Sequence, residues 1–415
     1  MKKFVQKIAN LGGSVFLVGG AVRDLLLGLV PKDRDYCVTG VTVEAFTSAF
    51  PKAELVGKDF PVFLLEVDGE VSEVAFARTE RKSGKGHQGF DVFTSPEVTI
   101  EEDLLRRDLT INAMAKNLVT GEIIDPFEGQ KDLHNGIIRA TSSAFAEDPL
   151  RVLRAARFAA RYGFVIEERT LEMMSSLRGE LSELSVERVF VELSKTLEQA
   201  KRPSVFFRVL KAAKVLDVHF PEVADLVGVP QPEKHHPEGD AFEHSLQVLD
   251  EASKLSQEPV VRFAALAHDL GKAVTPNDVL PSHHGHGKAG VPIVQAMALR
   301  LKLPVAWSKA ACAAAELHMK AHLVTKMRPG KLVDLLTAAH KSQLGVHGLV
   351  VVSLADERGR NNSGAEAPHL HQLPAIASEM FSVVNGKVVE LPKRPAAGVQ
   401  LRQLRAQWVA NNVSF

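Results

Sequence analysis

The sequence predicts an α+β chain, in which strands and helices alternate at first and helices alone follow. Short alternating or apolar runs, which are typical of strands, recur up to about Arg139. From Asp148 onward the strand signals almost vanish, and apolar residues follow helical spacing. Pro221 and the proline-rich segment 229–232 then separate a middle helical region from a histidine-rich region that begins near His235. We therefore expect an α/β region followed by an all-α remainder.

Individual elements follow from these patterns in chain order. The apolar run 15–18 predicts the first strand, and further strand signals lie at 62–67, 71–77, 123–124 and 137–138. Helical spacing in the second part of the chain lies at 171–177, 186–197, 204–216 and 260–267.

Length, charge and cysteine content limit the class of protein. A chain of 415 residues is long enough for two to four domains. Fifty basic and fifty acidic residues give a formal charge of zero, so any RNA site must be a local basic patch. No apolar run approaches the roughly 20 residues that span a bilayer, so we expect no membrane association. Cys37 and Cys312 lie too far apart in sequence to suggest a disulfide framework, which favours a cytoplasmic protein.

A glycine pair follows the first predicted strand. Gly19 and Gly20 let backbone N–H groups approach a phosphate that a side chain would hold at a distance. Arg23 follows one helical turn later and is placed to bind the same phosphates. This order predicts a triphosphate-binding turn.

Two acidic residues follow the turn. Asp33 and Asp35 flank one residue, and period-two geometry predicts that their carboxylates lie on one face of a strand, about 6.5–7 Å apart along it. Hard oxygen ligands of this kind suit Mg²⁺, and two such ions about 3.5–4 Å apart can activate a hydroxyl and stabilise a leaving pyrophosphate. We predict that Asp33 and Asp35 are catalytic and bind Mg²⁺ for nucleotidyl transfer. Glu73, in another alternating run, is a candidate third carboxylate, although a surface strand position explains it equally well.

Two further segments carry arginines close to acidic residues. The segment 102–113 reads as a helix on which Asp108 and Asn112 share a face, and Arg107 is a candidate phosphate or ribose ligand. A second helix is predicted to begin at Asp148 as its N-cap, with Pro149 in its first turn. Its arginine stripe has no acid within it, which favours an external anion; the stripe comprises Arg151, Arg154, Arg157 and Arg161. Asp148 and Arg151 also offer acceptor and donor groups that can pair with a nucleobase edge.

The later region concentrates histidines around an adjacent His268-Asp269 pair. Neutral imidazoles and carboxylates suit a transition metal or Mg²⁺, and neighbouring His and Asp ligands can bridge two ions. Less certain candidates for the same site are His244, His283, His284, His286 and Asp356.

These motifs resemble those of bacterial class II tRNA nucleotidyltransferases, the CCA-adding enzymes, with a C-terminal HD phosphohydrolase domain. The matching pieces, densest in the first half, are the segments 19–24, 33–35, 106–113, 125–129 and 147–157 and the pair 268–269. The resemblance implies four parts. They are a polymerase-β-like nucleotidyltransferase head over 1–139, an all-α neck and body that reads bases and binds tRNA over 140–228, an all-α HD domain over 229–345 and a helical tail over 346–415.

The same resemblance implies template-independent addition and repair of the 3′-terminal CCA of tRNA from CTP and ATP. Carried over residue by residue, Asp33 and Asp35 bind Mg²⁺, and Asp148 and Arg151 read the incoming base. The residues that it implies for binding CTP or ATP are Gly20, Arg23, Arg107, Arg154 and Arg157. For the HD domain it implies 2′,3′-cyclic phosphodiesterase, 2′-nucleotidase and phosphatase activity with Ni²⁺ or Mg²⁺.

The partners expected are the tRNA 3′ end, CTP and ATP, with no DNA, in a cytoplasmic monomer or homodimer. A bacterial poly(A) polymerase shares the head motifs, but the histidine-rich region and the lack of a long basic C-terminal tail argue against it. An enzyme that adds only CC or only A is a second alternative, against which the intact segment 77–84 argues. An RNA-binding protein with inactive sites is the third, and a degenerate HD domain that only holds tRNA remains possible for the later region.

Overall fold

The computed structural model describes residues 1–56, 61–82, 90–360, 366–386 and 396–415. The chain divides into two compact units, Met1–Leu184 and Ser185–Phe415. This boundary falls inside the predicted neck and body region, and the finer division into four parts stays a prediction. Residues 83–84 of the predicted loop 77–84 lie outside the described residues.

Strands and helices alternate in the first unit. Its strands are β1 (Ser14–Val18), β2 (Asp35–Thr39), β3 (Glu54–Val56), β4 (Val62–Val67), β5 (Glu70–Phe76), β6 (Arg78–Lys82), β7 (Phe90–Thr94), β8 (Ala115–Asn117), β9 (Ile123–Ile124), β10 (Ile137–Ile138) and β11 (Val165–Ile166). Its helices are α1 (Lys2–Asn10), α2 (Gly20–Leu26), α3 (Val43–Ala49), α4 (Ile100–Leu105), α5 (Gly129–Asn135), α6 (Leu150–Tyr162), α7 (Glu168–Ser176) and α8 (Arg178–Leu181).

A seven-stranded sheet in the order β3-β4-β5-β2-β1-β8-β9 forms the centre of this unit. Its neighbouring strands are antiparallel except β2 and β5, which pair in parallel. That pairing places Asp35 directly opposite Glu73. Along β5, Ser72 and Val74 are buried and Glu73 is exposed, so alternation turns the Glu73 carboxylate to the open face.

Aromatic side chains fill part of the core against this sheet. The Phe46 ring lies 4.8 Å from that of Phe50, 5.0 Å from that of Phe63 and 5.3 Å from that of Phe76, measured between centroids. A second cluster packs β1, β2, α4 and β8 together and includes Phe16, Cys37, Leu104 and Ala115. Burying such side chains contributes about 1.5–3 kcal/mol each, which fixes the strands that carry the polar residues at their ends.

All regular elements of the second unit are helices within the described residues. They are α9 (Val186–Gln199), α10 (Ser204–Ala212), α11 (Leu216–His219), α12 (Pro221–Ala224), α13 (Ala241–Leu255), α14 (Pro259–Ala267), α15 (His286–Arg300), α16 (Val305–Ala321), α17 (Pro329–Lys341), α18 (Gly345–Arg358), α19 (Pro368–Gly386) and α20 (Ala396–Asn412). Within the described parts of the chain, no helix combines the length and the apolarity needed to cross a bilayer.

The predicted α+β class is confirmed, and the five strand signals of the first part all fall on strands. Three local expectations were wrong. Strand β2 begins at Asp35, so Asp33 precedes it instead of sharing its face. The helix predicted over 102–113 ends at Leu105, and only a short 3₁₀ turn, Thr110–Asn112, follows. A short strand, β11, also lies after Asp148, where it pairs in parallel with β10.

Candidate active sites

The glycine turn of the first unit makes room for a guanidinium group. Gly19 has φ +65°, a left-handed conformation that side chains disfavour, and its N–H donates to the Met114 carbonyl at 3.1 Å. A methyl group added to Gly19 would approach Nη1 of Arg107 to 2.8 Å. The turn therefore brings the backbone N–H groups and Arg107 to the same place.

A buried carboxylate holds that arginine. Asp103 is only 1% exposed, and its two oxygens accept hydrogen bonds from two guanidinium groups. Oδ1 accepts from Arg106 Nη2 at 2.6 Å, and Oδ2 accepts from Arg107 Nη2 at 3.0 Å. Burial opposes ionisation of Asp103, yet Arg107 and Arg106 lower its pKa below the ordinary value. Asp103 was not among the predicted site residues, because an acid in a helix that also carries arginines looks like an ordinary surface ion pair.

Arg23 faces inward in this structure. It is 4% exposed, and its Nη1 donates to Asn112 Oδ1 at 2.5 Å. Its Nε and Nη2 donate to Asp24 Oδ1 at 2.9 and 2.7 Å, and its guanidinium lies 5.1 Å from the Phe158 ring centroid. Contact with a phosphate therefore requires Arg23 to share or leave part of this network.

Three carboxylates lie near the start of β2, where it pairs with β5. Burial, the Glu73 carboxylate and Asp33 all raise the pKa of Asp35, while Arg107 lowers it. Asp35 is exposed, so a cation from solvent can reach its carboxylate. Mutual repulsion of this kind is relieved by a cation, and the all-oxygen donor set fits Mg²⁺. The three carboxylates are not drawn tightly together: among the described residues, every group of three potential metal ligands within 4.8 Å lies in the second unit.

The turn after α4 connects to helix α6. Asp108 Oδ1 accepts from Asn112 Nδ2 at 3.1 Å although no helix joins the two residues, and Asp108 Oδ2 accepts from Arg154 Nε at 2.7 Å. Burial opposes ionisation of Asp108, but Arg154 and these hydrogen bonds lower its pKa to about 2. The expectation that the arginine stripe has only an external anion is therefore wrong for Arg154, which has an internal acid from outside its helix.

Asp148, Arg151 and Arg157 are the other predicted site residues at this helix, and they differ in exposure. The helix begins one residue later than predicted, with Pro149 as its N-cap and Leu150 as its first residue, and Asp148 Oδ1 accepts from Leu150 N at 3.0 Å. Arg151 Nη1 donates to the Ala144 carbonyl at 2.7 Å. Arg157 is 5% exposed, with its guanidinium 4.2 Å from the Phe158 ring centroid, so it does not continue an exposed stripe.

In the second unit, four imidazoles converge on two carboxylates. His268 and Asp269 follow the end of α14, His244 lies on α13, and His286 begins α15. The sequence missed the fourth imidazole, His318, which lies on α16. Its only signal was a histidine on an otherwise apolar helix face, which is more often structural.

Each of these rings is held by its Nδ1 atom, which leaves its Nε2 atom free to point inward. Nδ1 contacts the Ala265 carbonyl at 2.7 Å in His268, the His283 carbonyl at 2.6 Å in His286, the Ala314 carbonyl at 3.0 Å in His318 and Glu238 Oε1 at 2.7 Å in His244. Since a carbonyl or carboxylate oxygen can only accept, Nδ1 donates in each ring, and whenever a ring is neutral its lone pair is on Nε2.

The Nε2 atoms surround Asp269 and Asp356. Three of them lie close to a carboxylate oxygen of Asp269: the distance is 3.2 Å for His268 Nε2, 3.0 Å for His286 Nε2 and 3.4 Å for His318 Nε2. His244 Nε2 lies 3.1 Å from Asp356 Oδ1, and the Nε2 atoms of His286 and His318 face each other at 3.2 Å.

Buried atoms without hydrogen bonds show that this cluster fits a cation. Within the described residues, His244 Nε2, His268 Nε2 and Asp269 Oδ1 are buried and make no hydrogen bond of acceptable geometry. Leaving such atoms unpaired is costly, and a metal ion satisfies all of them at once. Burial lowers the pKa of His268, which keeps its ring neutral and able to bind a metal.

Two of the predicted ligands do not join the cluster. His283 uses both ring nitrogens elsewhere, Nδ1 with Thr275 Oγ1 at 2.7 Å and Nε2 with the Pro230 carbonyl at 2.9 Å. His284 is exposed and lines a cavity of about 310 Å³ next to the cluster. Neither belongs to the groups of potential metal ligands within 4.8 Å of one another among the described residues. A run of adjacent histidines does not reveal which ring faces inward.

Cationic side chains back the two carboxylates. Lys272 Nζ lies 2.6 Å from Asp269 Oδ2, and His322 Nε2 lies 2.7 Å from Asp356 Oδ2. Although burial opposes ionisation, these and other cations hold the pKa of both carboxyls well below their ordinary range. Burial likewise opposes protonation of His322, but Asp356 and Glu357 raise its pKa to about 9. Both acids are therefore available as charged ligands.

Three family models match this chain. The poly A polymerase head domain matches residues 15–139, the probable RNA and SrmB binding site of polymerase A matches residues 163–226, and the HD domain matches residues 241–358. The last match contains the whole histidine cluster, and the first contains the glycine turn and the three carboxylates.

Solved structures of CCA-adding enzymes share the fold along almost the whole chain. The Thermotoga maritima enzyme complexed with tRNA_CCA is 21% identical, with a TM-score of 0.66 and coverage of 100% of this chain and 91% of its own. The Bacillus stearothermophilus enzyme in complex with CTP is 24% identical, with a TM-score of 0.63 and coverage of 99% and 91%. A CCA-adding enzyme in complex with ATP is 23% identical, with a TM-score of 0.63 and coverage of 98% and 89%. At these identities the likeness shows a common fold.

Proposed function

Because the chain carries a poly A polymerase head domain, an RNA-binding segment and an HD domain, and has the fold of CCA-adding enzymes, we propose that it adds the terminal CCA to tRNA. The substrates are CTP, ATP and the tRNA 3′ end. The observation that carries this proposal is the register of β2 and β5, which sets Asp35 opposite Glu73, close enough to Arg107 for its charge to lower the pKa of Asp35. Two acids and a candidate phosphate-binding arginine are thus near one another.

The reaction joins the 3′ oxygen of the tRNA to the α-phosphorus and breaks the bond from that phosphorus to the leaving pyrophosphate. Mg²⁺ ions held by Asp33 and Asp35, with Glu73 as a third carboxylate, supply activation of the hydroxyl and neutralisation of the leaving group when bound. Gly20, the first residue of α2, offers its backbone N–H to the triphosphate, whereas the Gly19 N–H is already donated to the Met114 carbonyl. Arg107 binds it through Nη1, since Nε and Nη2 are held by Asp103.

Helix α6 supplies the groups that we assign to the nucleotide. Asp148 and Arg151 present acceptor and donor groups to the base edge. Each is fixed by a local hydrogen bond: Asp148 accepts from Leu150 N, and Arg151 donates to the Ala144 carbonyl. Arg154 remains partly exposed beside Asp108 and contributes positive charge. Arg23 and Arg157 are buried. We therefore assign them to packing beneath the nucleotide pocket and to its positive charge.

We assign the second site to phosphoester hydrolysis. Its metal ligands are His244, His268, Asp269 and Asp356, with His286 and His318 on the other side of Asp269. An imidazole-rich set favours Ni²⁺ over Mg²⁺, and such a metal, when bound by these residues, would supply activation of a water molecule at neutral pH. The adjacent cavity of about 310 Å³ lies at the lower end of small-ligand sites, which suits a terminal nucleotide. This supports 2′,3′-cyclic phosphodiesterase, 2′-nucleotidase and phosphatase activity.

One incubation separates the head activity from its alternatives. Purified protein is supplied with tRNA lacking its 3′ end, CTP, ATP and Mg²⁺, and the product ends are sequenced. We expect addition of C, C and A in that order and then arrest. A run of adenosines favours the poly(A) polymerase alternative, and arrest after CC or a need for prior CC addition favours a specialist. A cytoplasmic location and a monomeric or dimeric state stay predictions of the sequence.

A further inference from the structure

A second cavity in the unit Ser185–Phe415 lies away from the residues of the histidine cluster. It encloses about 740 Å³ where the end of α16 and the start of α17 meet. This groove shares no lining residue with the cavity beside the metal ligands. Nothing in the nucleotidyl transfer or hydrolysis proposed above uses it.

The rim of the groove is strongly basic. Its cations are Lys320, Lys326, Arg328 and Lys331, and the surrounding segment 317–333 contains no acidic residue. In a chain with equal numbers of acidic and basic residues, such a segment concentrates positive charge locally.

The two acids that line the groove are already neutralised. Glu316 pairs with Lys320 at 3.1 Å, and Asp334 pairs with Arg402 at 2.6 Å. Within the described residues, Lys326, Arg328 and Lys331 form no ion pair shorter than 4.0 Å, and all three are exposed. Three cations are therefore left for an external anion. Arg328 and Lys331 also flank the start of α17, where the helix dipole is positive. They therefore increase the positive electrostatic potential of the groove and lower the stability of the helix.

The floor of the groove is apolar. Leu317 and Leu335 are buried beneath it, and Leu323 remains 51% exposed beside Met327. Cations around an apolar floor suit a ligand with repeated phosphates and less polar sugar or base faces, which is the composition of an RNA strand.

We propose that this groove binds the sugar-phosphate backbone of the tRNA substrate, apart from the site that receives its 3′ end. The inference rests on the proposed function, because that function requires tRNA and the chain has no net charge to attract it. Lys326, Arg328 and Lys331 contact phosphates, and Leu323 and Met327 contact the ribose or an unstacked base.

The test compares two triple variants of the full chain. The groove variant carries Lys326→Gln, Arg328→Gln and Lys331→Gln. The control carries Lys288→Gln, Lys309→Gln and Lys341→Gln, which remove the same charge from exposed positions of the same unit outside the groove. Thermal unfolding of both must match the original protein.

Binding of fluorescently labelled tRNA is measured by anisotropy without nucleotides over a range of salt concentrations. For the groove variant we expect Kd to rise about 10- to 100-fold and the slope of log Kd against log salt to fall by about 2 to 3, as for the loss of three phosphate contacts. The control should change Kd by less than about threefold. An unchanged Kd in the groove variant, an equal loss in both variants, or tighter binding of polyglutamate than of tRNA to this groove overturns the proposal.

Because binding is measured without turnover, the two proposals fail separately. If the original protein adds no nucleotide but the groove variant alone binds tRNA more weakly, the RNA site is supported and the proposed enzyme activity is contradicted. If the original protein adds CCA but the groove variant binds tRNA with unchanged affinity, the enzyme activity is supported and this RNA site is contradicted.

Discussion

Nε of Arg154 donates a hydrogen bond to Oδ2 of Asp108 at 2.7 Å across 46 residues of sequence, and this ion pair joins helix α6 to the turn that follows α4. The same carboxylate accepts from Asn112, whose Oδ1 accepts from Arg23. Arg154 of helix α6 and Arg23 beside the glycine turn therefore belong to one hydrogen-bonded network.

Asp108→Asn should make the free energy of unfolding less dependent on pH in the acid range. The pKa of Asp108 is lowered from its ordinary 3.8 to about 2, so its contribution is fully present above about pH 4 and is lost as pH falls toward 2. At pH 7 the variant should unfold with about 2 kcal/mol less free energy, since each pKa unit is about 1.4 kcal/mol. Urea unfolding between pH 7 and 3 measures this. A constant difference between the two proteins at every pH contradicts the ionised pair.

Gly19→Ala should weaken binding of both nucleotides. The added methyl group meets Arg107 Nη1 and the residue must also hold φ +65°, so we expect the KM for CTP and ATP to rise about tenfold or more. Gly12→Ala is the matched control, because Gly12 has φ +85° and no atom within 4 Å of the added carbon. Equal effects in the two variants would assign the loss to backbone strain instead of to Arg107.

Asp33→Asn and Asp35→Asn should each abolish incorporation of CMP and AMP, with a loss of at least about a hundredfold in kcat. Glu73→Gln should reduce kcat if it is the third ligand, whereas Glu70→Gln on the same strand should leave it unchanged. Single-turnover incorporation on tRNA lacking its 3′ end measures the effect. Activity that persists in either aspartate variant removes that residue from the metal site.

Arg151→Ala should impair selection among nucleotides more than binding of phosphate. Arg151 is fixed by the Ala144 carbonyl at 2.7 Å and is assigned to the base edge. Incorporation from all four nucleoside triphosphates, measured one at a time, should therefore show misincorporation of UMP or GMP. Unchanged selectivity with a raised KM would instead make Arg151 a phosphate ligand.

His318→Ala should lower Ni²⁺ affinity at the second site at least about tenfold, while His283→Ala should not. His318 Nε2 lies 3.4 Å from Asp269 Oδ1, whereas both ring nitrogens of His283 are used outside the cluster. Calorimetric titration of the metal-free protein compares the two variants. Affinity should also fall below about pH 6, where protons compete with the metal for imidazoles. Equal affinities in the two variants would mean that the ligands are wrongly chosen.

The resemblance to CCA-adding enzymes, the domain order and the fold class could all be predicted from the sequence. Short motifs carried that information, because Gly19, Asp35 and His268 owe their roles to the residues adjacent to them. The position of Glu73 could not be decided from its own strand, since its relation to Asp35 depends on which strands pair.

Contacts between distant segments were not predictable. The arginine stripe of α6 appeared to lack an acid because Asp108 belongs to another element, and the periodicity of 102–113 concealed the break after Leu105. His318 resembled a core histidine until the packing of α16 placed it against His286. In each case the deciding fact is a tertiary contact that local pattern does not contain.

The central claim is that carboxylates at the start of β2 bind divalent cations next to the glycine turn. Crystals grown with CTP and Mn²⁺ test it directly through anomalous scattering at the manganese edge. We expect manganese peaks bound by Asp33 and Asp35, with the triphosphate seated against Gly19 and Gly20 and contacted by Arg107. Manganese confined to the histidine cluster, with the nucleotide bound elsewhere, would contradict the proposed nucleotidyl transfer at the start of β2.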